Sequence, residues 1–197
     1  MRLLYRGATW FIPNHSKSIY LTFDDGPVEG ITDKTLEILE QYQAKATFFC
    51  VGDNIIKNRS LFDSIKANGH SIGNHTQNHL NGWMKSTKEY LNNWELCNNH
   101  HEFKYFRPPY GKIKRSQYKH ISKNQEVIFW DVLGGDFDQK QSVNDVISNV
   151  TNNTEAGSII VLHDNEKCGE KMLKSLPSII ENLQGKGFIF DNLDSVI

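Results

Sequence analysis

Short apolar, β-rich runs alternate with helix-length stretches along this chain, and that alternation limits its fold more than any other feature. Ser158–Leu162 (SIIVL) is the sharpest case, a run of strand length with the pattern of a strand buried on both faces. Ser18–Phe23 (SIYLTF) and Ala46–Val51 (ATFFCV) share its character. Further strands are predicted at Ser71–Gly73, at Val127–Trp130 and near Phe188, and Tyr105-Phe106 lead into a proline-rich turn. Between these runs, helices are predicted to start at Thr32 or Asp33 and to cover Ile55 to about Asn68, where Gly69 closes the stretch. Others are predicted from Thr87 to about His101, from about Ser142, and around Lys171–Leu183. Strand–helix alternation favours parallel strands with helices outside them. The expected class is α/β, an irregular or incomplete (β/α) barrel, with a doubly wound open sheet as the alternative.

At 197 residues, with no linker, repeat or low-complexity tract, the chain is expected to form one domain over 1–197, with 1–17 as a short lead-in. Its net charge of −1 argues against nucleic acid or an anionic membrane as partner. No apolar run reaches the roughly 18–20 residues of a membrane span. The opening MRLLYRGATWFIPN also lacks the apolar core of about 7–15 residues that a signal peptide needs. Read literally the chain is cytoplasmic, and exported or in the cell envelope if a leader has been removed. Cys50, Cys97 and Cys168 form no CxxC pair, so neither a disulfide framework nor a structural zinc site is expected. Nothing in the sequence speaks to oligomeric state.

Five polar segments fall where strands are predicted to end, and such folds build their sites at that edge. Thr22–Pro27 (TFDDGP) offers two adjacent carboxylates, one able to bind a metal while its neighbour handles a proton, although Asp-Gly-Pro is also an ordinary turn sequence. His75 and His79, at i and i+4, would meet on one side of a helical turn. With an Asp nearby they make three protein ligands and leave a coordination position open, the count of a catalytic zinc site. Phe106–Gly111 (FRPPYG) is a rigid turn in which the Tyr110 N–H could aim at a substrate oxygen and Arg107 could orient a carboxylate. In Trp130–Phe137 (WDVLGGDF) an acidic residue could hold a histidine in one tautomer and raise its pKa. Finally, His163 follows the apolar Ile159–Leu162 and is placed to act as a general acid.

Taken together and in this order, the five segments closely resemble the polysaccharide deacetylases that share the NodB homology domain, carbohydrate esterase family 4. The resemblance runs from about Ser18 to Asp164. It implies that Asp25, His75 and His79 bind one divalent metal, zinc in the first place, with Co, Ni, Mn or Fe also compatible. It further implies Asp24 as general base positioned by Arg107, the Tyr110 N–H as an oxyanion donor, and His163 as general acid tuned by Asp136. Pro109, Phe137, Val161 and Leu162 would contact the substrate. Two positions depart from the family pattern: Phe137 replaces the usual Trp, and Val161 replaces the Leu of the Leu-x-His segment. The implied reaction is hydrolysis of acetyl groups, N-acetyl above all, from peptidoglycan, a chitin oligomer, poly-N-acetylglucosamine or xylan. Hydrolysis of another C–N amide, or a catalytically silent glycan-binding module, are the competing readings.

Overall fold

A computed structural model describes residues 5–196. Met1–Leu4, which begin the stretch read for a signal peptide, lie outside the described residues. Eight strands appear: β1 (Ser18–Asp24), β2 (Ala46–Cys50), β3 (Ser71–Asn74), β4 (Tyr105–Phe106), β5 (Glu126–Val127), β6 (Val132–Leu133), β7 (Ile159–His163) and β8 (Ile189–Phe190). All strand pairings are parallel. The order is β5-β4-β3-β2-β1-β7-β6, with β8 added beside the start of β1. The sheet curls into a half-barrel, the incomplete (β/α) barrel expected rather than the doubly wound alternative.

β5 and β6 are the two ends of that order, so the ring is not closed by strand pairing among the described residues. The lead-in bridges part of the gap. Thr9 pairs with Ile128 and Phe11 with Ser158. Trp10 stacks on Phe129 with ring centroids 4.0 Å apart.

Seven helices surround the sheet: α1 (Thr32–Gln41), α2 (Gly52–Lys57), α3 (Arg59–Ala67), α4 (Thr87–Asn98), α5 (Arg115–Ile121), α6 (Val143–Asn153) and α7 (Gly169–Gly185). The helix predicted over Ile55–Asn68 is two, broken at Asn58, which caps the end of α2 and the start of α3. The strand predicted over Val127–Trp130 is shorter, and β6 and α5 match no predicted element. α4 and α6 begin at Ser86 and Ser142, each closing a capping box with the acid three residues on.

Every residue of β1 is buried, so its two faces must be filled differently. Ile19, Leu21 and Phe23 point outward into the main core, together with Phe48, Ile160, Leu162 and the apolar stripe of α7. Each such side chain contributes about 1.5–3 kcal/mol on burial. Tyr20 points inward and packs with Phe49, Tyr105, Ile128 and Ile159. Because a strand alternates faces, Thr22 and Asp24 stand above Tyr20 on the inner side, and His163 stands above Ile159. Apolar side chains thus plug the bottom of the half-barrel and polar ones crown it.

Candidate active site

β1 ends at Asp24, whose Cα is in register with Phe49 on β2 and His163 on β7. The next residue, Asp25, takes φ 86°, a left-handed conformation that turns its side chain away from the direction of Asp24. The two carboxylates therefore have different partners. Asp24 Oδ1 accepts from Arg107 Nη1 at 2.7 Å. Asp25 Oδ1 faces His79 Nε2 at 3.0 Å and His75 Nε2 at 3.4 Å.

Arg107 is wholly buried, and its other donors are satisfied by the Thr22 hydroxyl at 2.6 Å and the carbonyls of Phe129 at 3.0 Å and Ile128 at 3.3 Å. The Phe49 ring lies against its guanidinium, with Cζ 4.1 Å from the centroid. Burial pulls the Arg107 pKa down while Asp24 pulls it back up. A buried cation with this many acceptors has one geometry available to it, and Asp24 is fixed with it.

His75 and His79 do not lie on a helix. His75 directly follows β3, and the chain reaches His79 through Thr76 at φ 64° and His79 itself at φ 55°. Asn74 holds this bend by accepting from the Thr76 N–H at 2.7 Å. The i, i+4 spacing brings the imidazoles together, with centroids 5.1 Å apart, but by a loop rather than a helical face. His75 Nδ1 meets the Arg107 carbonyl at 2.8 Å. A carbonyl only accepts, so Nδ1 carries a proton there and Nε2 is left as a lone-pair donor toward Asp25.

Ligand atoms of Asp25, His75 and His79 all lie within 4.8 Å of one another. Asp25 Oδ1 is buried and has no hydrogen-bond partner among the described residues, although both imidazoles are close. An anionic oxygen and two imidazole nitrogens that converge without hydrogen-bond geometry fit a divalent cation.

Across the opening, Asp136 accepts from His163 twice, from the backbone N–H at 2.7 Å and from ring Nδ1 at 2.9 Å. Burial works against the imidazolium, yet the Asp136 carboxylate prevails and lifts the His163 pKa to about 9. Tyr110 sits at φ 60° in the turn after Pro109, with its ring 4.6 Å from that of His79. Among the described residues nothing accepts from its N–H.

These groups border a cavity of about 770 Å³ that includes Asp24, Asp25, His75, His79, Tyr110 and His163. Its apolar side is Trp130, Leu133 and Phe137. The Phe137 ring stands edge-on to His163, with centroids 5.5 Å apart. Pro109, Val161 and Leu162, expected at the substrate, are not on its surface. Leu162 points to the opposite, helix-facing side of β7, Val161 is 1% exposed, and Pro109 is buried beneath the Tyr110 turn. Leu133 is on the cavity surface instead.

Two neighbours of His163 also escaped sequence reasoning. Asp164 is fully buried and accepts from the Gly26 N–H at 3.0 Å and the Thr32 hydroxyl at 2.6 Å, pinning the turn that carries Asp25. Burial pushes its carboxyl up to about 8, against those donors. Asn165 Nδ2 donates to Asp25 Oδ2 at 2.5 Å, so the other carboxylate oxygen is left to the imidazoles. Asp131, also in the Trp130–Phe137 segment, is structural: it accepts from Ser158 Oγ at 2.9 Å and the Ile159 N–H at 2.6 Å.

A fixed carboxylate opposite a carboxylate-backed histidine, around a group ready for a cation at the C-terminal edge of parallel strands, defines a hydrolase. The particular family follows from comparison with known proteins. Residues 12–127 match the polysaccharide deacetylase family, and the chain belongs to it. It is 32% identical to a peptidoglycan-N-acetylglucosamine deacetylase of Bacillus cereus, over 96% of this chain and 92% of that one. A chitooligosaccharide deacetylase of Azorhizobium caulinodans is 29% identical, over 92% and 95%. The crystal structure of a peptidoglycan N-acetylglucosamine deacetylase in complex with 4-naphthalen-1-yl-N-oxidanyl-benzamide superimposes with TM-score 0.90 at 32% identity, covering 100% of this chain and 95% of that one. Among the described residues no helix is long and apolar enough to cross a membrane.

Proposed function

We propose that this chain hydrolyses N-acetyl groups of a glycan with a divalent cation, zinc in the first place, held by Asp25, His75 and His79. A cation there would supply Lewis acidity, lowering the pKa of water to about 7 and polarising the acetyl carbonyl. The chain's own groups do the rest. Asp24 takes the proton from the attacking water, and its base oxygen is kept in place by the 2.7 Å bond from Arg107 to Oδ1. The free Tyr110 N–H donates to the oxygen on which negative charge develops, a contribution of about 3 kcal/mol in comparable acyl chemistry. His163 delivers a proton to the leaving amine, and Asp136 keeps its ring oriented and charged. Trp130, Leu133 and Phe137 offer the apolar contact for the acetyl methyl and the sugar face.

The observation that carries this reading is the division of labour between two adjacent carboxylates, Asp24 on an arginine and Asp25 on two histidines. Relatives named for peptidoglycan and chitooligosaccharides support N-acetylglucosamine polymers as the first substrates to try. The test is acetate release from N-acetylglucosamine oligomers and from peptidoglycan by zinc-loaded protein, with Asp24→Asn as the blank. Release that needs both the metal and Asp24 is expected. Full turnover by Asp24→Asn would sink the assignment.

A further inference from the structure

One side of the cavity holds a second set of ligand atoms. Ligand atoms of Asp136, His163 and Cys168 all lie within 4.8 Å of one another. Asp136 and Cys168 are each only 2% exposed. His163 and Cys168 nevertheless border the cavity, which gives an ion a way in. Cys168 precedes α7 but its side chain caps nothing there. Its position is set by Asn165, whose Oδ1 accepts from the Cys168 N–H at 2.9 Å while its Nδ2 holds Asp25.

The chemistry of the thiol narrows what it can do. Burial pushes the Cys168 pKa up to about 12, so the group is no ready nucleophile or redox centre. A bound cation can displace its proton to solvent and leave the thiolate as ligand. Carboxylate, imidazole and thiolate are three of the four ligands of a tetrahedral zinc site, with bonds of about 2.0–2.3 Å. The thiolate selects zinc or cadmium over magnesium or calcium.

We propose that Asp136, His163 and Cys168 form a second, inhibitory site for a thiophilic divalent cation such as excess Zn²⁺ or Cd²⁺. The exchange is balanced in charge. The cation brings two positive charges, and two protons leave for solvent, one from the thiol and one from the His163 imidazolium that Asp136 pairs with. A buried site therefore accepts the ion without a change in net charge. Once its ring is ligated, His163 is a neutral imidazole that has already given up its acidic proton, so it can no longer serve as a general acid. Loss of turnover rests on the general-acid role proposed above; binding of the ion does not.

The experiment starts from protein loaded with one equivalent of Zn²⁺ and adds Cd²⁺, following bound metal by equilibrium dialysis, the cadmium–thiolate absorption band in the ultraviolet, and acetate release. Bound metal is expected to rise from one to two per chain, with the thiolate band appearing in step. Acetate release should fall at least tenfold at saturation. In Cys168→Ser and Cys168→Ala, circular dichroism checks the fold, and the band and the second equivalent should both vanish while acetate release persists under Cd²⁺. Exchange of Cd²⁺ for Zn²⁺ at constant stoichiometry with no thiolate band would overturn the proposal. So would a second equivalent that survives both Cys168 variants. Should the protein release no acetate at all, the dialysis and the band still decide the site, so the two readings fail separately.

Discussion

Arg107 and Asp24 are 83 positions apart in sequence and 2.7 Å apart in space, with the arginine wholly buried. The guanidinium is shut away from water and its donors are held by fixed acceptors, so it cannot exchange partners as a surface ion pair would. Asp24 is left with its second oxygen, Oδ2, 3.9 Å from His75 Nε2 and beside the group proposed to hold a cation. Fixing one oxygen is how the chain aims the other.

Arg107→Lys is expected to lower acetate release about 10²-fold with little change in KM, since one ammonium cannot reach the four acceptors that the guanidinium serves. Arg107→Met, which leaves Asp24 as an unpaired buried charge, should cost about 3–5 kcal/mol of stability in urea unfolding. Near-native turnover in Arg107→Lys would remove Arg107 from the positioning role.

If Asp25, His75 and His79 hold a cation as proposed, its removal should be visible without any assay of activity. A cation that binds only the folded chain at about 100 times its Kd stabilises it by about 2.7 kcal/mol, which raises Tm by roughly 5–10 °C in a domain of this size. Chelation should reverse that shift and abolish acetate release together. His79→Ala should lose the zinc-dependent shift in Tm. A shift that persists in His79→Ala would place the cation elsewhere.

Much of this was legible in the sequence, for a physical reason that also explains the misses. β1, β2 and β7 are buried on both faces, so their apolar runs stand out, and the polar residues that end them read as a site. α5 carries few apolar residues and buries Gln117 beside Tyr118 and Ile121, so its sequence shows no stripe. β6 is two residues long, below any periodic signal. The helical reading of His75 and His79 failed because two residues at positive φ achieve by a loop what a helix achieves by its pitch. Asp164 and Asn165 reach Thr32 and Asp25 across 132 and 140 positions, and local sequence carries no mark of such contacts. Leu162 is expected at the substrate only from the resemblance, and strand alternation turns it to the helices, a direction that motif matching does not carry.

Asp164→Ala should destabilise the fold by about 2–6 kcal/mol, since it orphans the buried Gly26 N–H and Thr32 hydroxyl donors at about 1–3 kcal/mol each. Asp164→Asn, which keeps an acceptor oxygen, should lose less. Urea midpoints of the two variants measure the difference. An alanine variant as stable as the parent would show that the turn at Gly26 does not depend on Asp164.

The pH profile separates His163 from every other candidate acid. A general acid works only while protonated, so turnover that depends on His163 should hold at neutral pH and fall as pH rises through about 9. Above that point the loss is roughly tenfold per pH unit. Burial lowers the His163 pKa, and Asp136 is the main group that raises it. In Asp136→Asn the burial remains and the carboxylate is gone, so the descending limb must move to lower pH. The variant should therefore lose more than tenfold against the parent at pH 8, and recover part of that loss as pH falls toward 6. Folding stability runs the same way. Because the folded pKa lies above the ordinary value of 6.5, the stabilisation from the His163–Asp136 pair is fully present below about 6.5 and is lost as pH rises through about 9. Asp136→Asn should thus unfold at lower urea than the parent at pH 6 and approach it at pH 10. A descending limb that stays in place in Asp136→Asn would mean that another group supplies the proton, and the role of His163 would have to be given up.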